Sequence, residues 1–160
     1  MIIEPIAPDD EPAVLALNNR HAEELSLLDP PRLSHLLAES FHARRVGSLD
    51  AFLIAFDETA GYDSPNFLWF RERYDRFAYV DRIAVAARAR GRGLASLLYE
   101  DLFARARTAG HRRIVCEVNS DPPNPASDAF HASFGFREVG NARLPDGKKT
   151  VRYFERSLTP

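Results

Sequence analysis

Between residues 77 and 108 three signals follow one another almost without a break. A β-branched and aromatic run, FAYVDRIAV, leads into an arginine-rich loop with two glycines, AARARGRG, and then into an amphipathic stretch, LASLLYEDLFARART. In the last of these Leu94, Leu97, Leu98, Leu102 and Ala106 recur at three- and four-residue spacing, while Ser96, Glu100 and Arg107 fall elsewhere, which predicts a helix with one face laid on a sheet. A strand feeding a helix through a short loop leaves the first backbone N–H groups of the helix without partners. That is a geometry in which an anion is held. Glycine lets the backbone bend and be approached without a Cβ clash, and Arg88, Arg90 and Arg92 add positive charge around it.

Two common phosphate loops do not fit. GRGLAS lacks the third glycine of a dinucleotide fingerprint, and the chain lacks the Gly-Lys-Ser/Thr of a P-loop. A nucleic-acid patch fits poorly as well. Lys and Arg number 21 against 23 Asp and Glu, the formal net charge is −2 and the pI is near 6.2, so the arginines are a local feature of an acidic chain.

The rest of the 160 residues is organised around that unit. Ile2 to Ile6 predicts a strand, and Ala-Pro-Asp-Asp then caps a helix through Val14, Leu15 and Leu17. HAEELSLLD, residues 21 to 29, is ambiguous, and Pro30-Pro31 opens a second short helix, RLSHLLAE. Phe41 to Val46 and Leu49 to Phe56 read as a hairpin turning at Gly47-Ser48. Asp57 to Asp75 is a long aromatic connection. Ile114 to Asn119 predicts a strand, Ala126 to Phe134 a helix, and Arg137 to Arg143 with Thr150 to Ser157 a strand pair turning at Asp146-Gly147. The order βααβββαβαββ indicates one α/β (α+β) domain over residues 1–160 with a mixed sheet. A single cysteine, Cys116, leaves no disulfide framework, and its position suits a small core residue better than a nucleophile. The start MIIEPIAPDDE has neither the basic head nor the apolar core of a signal peptide, and no run is long enough to span a membrane. We therefore expect a cytoplasmic protein that uses neither a membrane nor nucleic acid as partner.

The segment Arg88-Ala89-Arg90-Gly91-Arg92-Gly93 also fits the pattern Arg/Gln-x-x-Gly-x-Gly/Ala, and residues 124 to 136, NPASDAFHASFGF, fit Asn-x-x-Ala-x-x-x-Tyr-x-x-x-Gly-Phe without a gap. Asn124 falls on the Asn, Ser127 on the Ala, and Gly135-Phe136 on the closing pair, while His131 stands where tyrosine is usual. With both elements in order, the chain resembles the GNAT (GCN5-related N-acetyltransferase) superfamily, and among it a group of bacterial members sharing the YVDRIAV, EVN and PPNPASDAFH stretches.

The resemblance implies a central mixed, mostly antiparallel sheet of six or seven strands, flanked by about four helices and splayed between the fourth and fifth strands. It implies an acetyl-CoA-dependent N-acetyltransferase that moves an acetyl group directly to a primary amine of a small molecule or of a peptide or protein in a ternary complex, as a monomer or homodimer. A non-catalytic acyl-CoA-binding module on the same fold is the alternative. The pyrophosphate would lie on Arg88, Arg90, Gly91, Arg92, Gly93, Leu94 and Ala95. Backbone groups of Ile83, Ala84 and Val85 would meet the pantetheine arm, with Asn119, Asn124, Ser127 and His131 on its other side.

Glu117 shares a strand face with Val115 and Asn119. It is the first choice for general base, with Asp81 second, and either acid could instead merely pair with Arg82 or Arg113. His131 is either the proton donor to the departing thiolate or an exposed helix residue. Glu23, Glu24, Tyr62, Asn66, Trp69 and Tyr79 are candidates for the acceptor pocket, against plain packing for the aromatics. Histidines at 21, 35, 42 and 111 show no ligand spacing, so no metal is expected.

Overall fold

The computed structural model describes residues 2–22, 25–121, 123–144, 147 and 149–159. Seven strands form one sheet in the order β1-β2-β3-β4-β5-β7-β6. These are β1 (Ile3–Pro5), β2 (His42–Val46), β3 (Ala51–Asp57), β4 (Ala78–Val85), β5 (Arg113–Asp121), β6 (Arg137–Arg143) and β7 (Thr150–Ser157). Every neighbouring pair is antiparallel except β4 and β5, which run parallel. The fold is the one expected, a mixed and mostly antiparallel sheet.

Five helices cover it: α1 (Glu11–Arg20), α2 (Pro30–Glu39), α3 (Pro65–Arg71), α4 (Leu94–Thr108) and α5 (Pro125–Ser133). Side chains that alternate along single strands show the layering. On β2, His42 bonds Asp101 of α4, whereas Arg45 bonds Asp10 just before α1. On β7, Tyr153 stacks on Trp69 of α3, whereas Phe154 lies against His131 of α5. Helices α1 and α3 therefore lie on one face, with α2 packed beside α1, and α4 and α5 lie on the other.

Helix α3 is the element that the sequence did not announce. It sits inside the stretch taken as an aromatic connection, because Phe67, Leu68, Trp69 and Phe70 give an unbroken apolar run in place of a helical alternation. Its two turns are apolar nearly all round for a reason. Phe67 and Phe70 are fully buried against Phe77 and Tyr79, and Trp69 lies over β7 with its ring 4.2 Å from that of Tyr153. The Asp146 half of the expected last turn lies outside the described residues, while Gly147 takes φ +70°.

The sheet parts at its centre. β4 pairs with β3 from end to end, but with β5 only at Ala78↔Ile114 and Tyr79↔Val115. Opposite Ile54 and Ala55 of β3 stand Arg82 and Val80, so Asp81 is the extra residue of a β-bulge. A bulge bends its strand and breaks the ladder locally, and this one falls where β4 turns away from β5.

Gly140 on β6 tests the packing beneath α3. A Cβ there would lie 2.3 Å from Cζ2 of Trp69. Gly140→Ala should destabilise the fold by about 1–3 kcal/mol through overpacking, measured by denaturant unfolding followed on the emission of the single tryptophan.

Candidate active site

The parting of β4 and β5 opens a cleft of about 480 Å³ lined by Val80 to Val85 on one side and Cys116 to Asn119 on the other, with Arg90, Tyr99, Asn124, Ser127 and His131 around it. A smaller chamber of about 110 Å³ adjoins it through the shared residues Asp81, Arg82, Glu117 and Asn119, and adds Tyr62, Ser64, Asn66 and Lys149. Most of the residues singled out in the sequence meet here.

At one end of the cleft lies the glycine loop. Gly91 and Gly93 take φ +78° and +72°, values that side chains rarely adopt, and no atom lies within 4 Å of where a Cβ would stand on either. Gly93 is also the N-cap of α4, and it offers no side-chain cap to the first N–H groups of that helix. Arg90 faces the cleft with its Nη2 3.2 Å from Nε2 of His21. Arg88 and Arg92 do not line the cleft: both turn to Asp50 on the β2–β3 hairpin, at 3.0 and 3.8 Å. They brace the loop from behind. Leu94 is buried in the core, so only its backbone is available to a ligand, and Ala95 is half-buried in the first turn. Asn124 caps α5 by accepting from the N–H of Ser127 at 3.3 Å.

Glu117 is half-buried on β5 and takes its hydrogen bonds from neutral donors. The Tyr79 hydroxyl donates to Oε2 at 2.8 Å, and Asn66 Nδ2 donates to Oε1 at 3.1 Å. Asn66 is itself oriented by the Tyr153 hydroxyl, which donates to its Oδ1 at 2.9 Å. Burial, and next the charge of Asp81, push the Glu117 carboxyl up to about 8, against the smaller opposing effect of the Tyr79 and Asn66 bonds. A carboxylate so poised is a far stronger base than an ordinary one.

Asp81 is placed differently. Its side chain is 4% exposed, one oxygen accepts from Arg82 Nε at 2.7 Å and the other from the Tyr62 hydroxyl at 2.7 Å. Arg82 is held in turn by the fully buried Asn18 at 2.9 Å. Pairing with Arg82, weighed above for both acids, describes Asp81 and not Glu117. Arg113 pairs with Glu155 instead.

His131 is not an exposed helix residue: it is 6% exposed. Its Nδ1 lies 2.7 Å from the carbonyl oxygen of Ser127 and its Nε2 lies 3.0 Å from the hydroxyl of Tyr99. Burial lowers its pKa, only partly opposed by the Ser127 carbonyl and the charge of Asp128. Tyr99, which lines the cleft and meets His131, was not singled out in the sequence, where the helix was read only for its leucine face. Of the acceptor candidates, Tyr62, Asn66 and Tyr79 lie in the site, the last as the partner of Glu117. Trp69 does not: it packs on Tyr153, Phe70 and Arg73. Glu23 and Glu24 lie outside the described residues.

At the far end of β4, Asp57, Glu58 and His111 also converge, with the Arg76 guanidinium 3.7 Å from Glu58. No helix among the described residues is long and apolar enough to cross a membrane.

A raised carboxyl pKa has a definite sign in stability. The folded chain holds the Glu117 proton between its ordinary pKa near 4.5 and about 8, where the unfolded chain has already released it, so stability falls as pH rises through that window. Glu117→Gln should remove this fall, gaining on the order of a few kcal/mol over wild type at pH 9 relative to pH 5 in denaturant titrations. Tyr79→Phe removes a bond that favours the charged form, so the Glu117 titration followed by carbon NMR should move above its wild-type position.

Residues 21–136 match the Acetyltransferase (GNAT) family. Over 73 residues, 46% of this chain and 41% of the relative, the chain is 41% identical to a phosphinothricin N-acetyltransferase from Streptomyces coelicolor, so the match spans about two fifths of that protein. Among solved structures it resembles the ribosomal-protein-S18-alanine N-acetyltransferase from Escherichia coli, with TM-score 0.74, 19% identity, and 99% and 94% of the two chains covered. It also resembles Ard1 from Thermoplasma volcanium, with TM-score 0.78, 17% identity, and 99% and 98% covered. At such identities these structures speak for the fold alone. The family match, by contrast, takes in the parted strands, the glycine loop and the Asn124 to Phe136 element together, and the chain belongs to the GNAT family of acetyltransferases.

Proposed function

We propose that the protein is an acetyl-CoA-dependent N-acetyltransferase, one catalytic domain over residues 1–160, that passes the acetyl group directly to a small primary amine in a ternary complex. The observation that carries this reading is Glu117, a half-buried carboxyl held between Tyr79 and Asn66 where the strands part, its pKa pushed up to about 8. A structural module that merely bound an acyl-CoA would gain nothing from the cost of such a group.

The division of labour follows the cleft. The pyrophosphate lies on the backbone of Gly91 to Ala95 with Arg90 beside it, and the pantetheine arm runs between Ile83 to Val85 and Asn119, Asn124 and Ser127. The free edge of β4 holds the arm and the thioester by backbone groups, so that two bound reactants replace a bimolecular encounter. The amine occupies the chamber beside Glu117, which removes its proton directly or through a water.

Size narrows the acceptor: a chamber of about 110 Å³ suits a small molecule. The likeness to a phosphinothricin N-acetyltransferase supports an amino group on a small acid as the class to try first.

Calorimetric titration with acetyl-CoA, with 3′,5′-ADP as the fragment control, is the first test, followed by thiol release over a panel of amino acids, small amines and lysine peptides. Micromolar binding and turnover with small amines are expected. Binding without thiol release from any amine would leave the acyl-CoA-binding module, and no binding at millimolar acetyl-CoA would remove both readings. kcat/KM should rise with pH through about 8, the Glu117 value, and Glu117→Gln should lower kcat by about 10²–10⁴ with acetyl-CoA affinity unchanged. Gly91→Val should weaken acetyl-CoA at least about tenfold, because a β-branched residue cannot hold its positive φ and the loop must move.

A further inference from the structure

Glu117 and Cys116 are neighbours on β5, so their side chains leave opposite faces of the sheet. Glu117 meets Asn66 of α3, whereas Cys116 meets Tyr99 of α4. The gap between β4 and β5 is thus a slit through the sheet. Its α3 face carries the base, and its α4 and α5 face carries Tyr99, His131 and Cys116, all of which line the cleft. If the amine arrives from the first face, as the proposed function has it, the thiol departs on the second.

The protons on that second face can be counted. A carbonyl oxygen only accepts, so the 2.7 Å contact between His131 Nδ1 and the Ser127 carbonyl places the hydrogen on Nδ1; the Ser127 hydroxyl, at 3.3 Å, is the weaker partner. A neutral imidazole has one N–H, so Nε2 is bare and the 3.0 Å contact with Tyr99 is a hydrogen bond donated by the phenol. Burial disfavours a second proton on the ring. The hydrogen between the phenol and the imidazole therefore belongs to Tyr99, and the phenol can turn it toward the cleft.

We propose that the Tyr99 hydroxyl, delivered from α4 and aimed by His131, is the hydrogen-bond donor that holds the departing CoA thiolate; this rests on the acetyl-CoA reading of the cleft. The amine nitrogen forms its bond to the thioester carbonyl carbon, the C–S bond breaks, and sulfur keeps the electron pair. The amine proton leaves through Glu117. The phenol turns about its C–O bond from Nε2 to sulfur and donates without giving up its hydrogen. Burial holds it well above its ordinary pKa near 10, while a thiol ordinarily titrates near 8.5, so full transfer would run uphill. The thiolate takes its proton from water on release. His131 is then a positioning residue.

The readout is the pKa of the thiol of bound coenzyme A, followed by thiolate absorbance in wild type, Tyr99→Phe and His131→Gln, with calorimetry confirming that each variant binds coenzyme A. Groups that face the phenol and could bias the titration are His131 on α5, the Cys116 thiol and the Glu117 carboxyl on β5, and, beyond the imidazole, Asp128 with its partner Arg152. Each is retained in Tyr99→Phe, which removes only the hydroxyl. The bound thiol should titrate below that of free coenzyme A in wild type, about one unit higher in Tyr99→Phe, and between the two in His131→Gln. kcat should fall in Tyr99→Phe with the coenzyme A affinity held. An unchanged thiol pKa in Tyr99→Phe, or a larger shift in His131→Gln than in Tyr99→Phe, overturns the assignment and makes His131 the donor. Failure of wild type to bind coenzyme A at millimolar concentration overturns the reading of the cleft itself, and this inference with it.

Discussion

Two parallel strands that pair at two positions and then separate are the constraint on which the rest depends. Backbone N–H and C=O groups left out of a ladder are costly in the interior of a protein, so a sheet split at its centre must be held closed elsewhere and wetted or filled where it opens. Here the full ladder between β3 and β4 anchors one lip, and the long antiparallel ladder between β5 and β7 anchors the other. The bulge at Asp81 makes the separation abrupt, and the few unpaired groups it leaves are the ones a ligand can use.

Two carboxyl groups sit at that opening and the fold treats them oppositely. Asp81 is given an arginine, a phenol and, through Asn18, a tie to α1. It is held in place by its partners, its side chain 4% exposed. Glu117 is given a phenol and an amide, bonds too weak to offset burial beside Asp81, and so its proton is hard to remove. Burial acts on the other face as well, where it lowers the pKa of the His131 imidazole against the smaller opposing effects of the Ser127 carbonyl and the charge of Asp128. Structural ion pairing and titratable chemistry thus share one cleft without exchanging roles, because each charge has a different set of neighbours.

Much of this was legible in the chain. The strand, glycine loop and helix from residue 77 to 108, and the Asn124 to Phe136 element, carried both the fold and the place of the glycine loop; Gly91 and Gly93 do take positive φ at the start of α4. Alternation on β5 put Glu117 on the right face. What escaped was of another kind. Helix α3 was hidden because its residues are buried on several sides, so it lacks a polar stripe, and with it went the real role of Trp69, which packs on Tyr153. The turn of Arg88 and Arg92 toward Asp50 was equally invisible, since their partner lies about forty residues earlier on a different hairpin.

The sequence by itself determined the order of elements, the conformation of the glycine loop and the residue types available for chemistry, because periodicity and glycine's backbone freedom act between near neighbours. Only the tertiary structure decided which acid is paired with an arginine and which meets neutral donors, and which partners Tyr99 and His131 find. Those outcomes are set by burial and by partners tens of residues away, such as Asn66 for Glu117 and Tyr99 for His131. A proton's position follows the full set of neighbours in space, and no local pattern of residues contains that set.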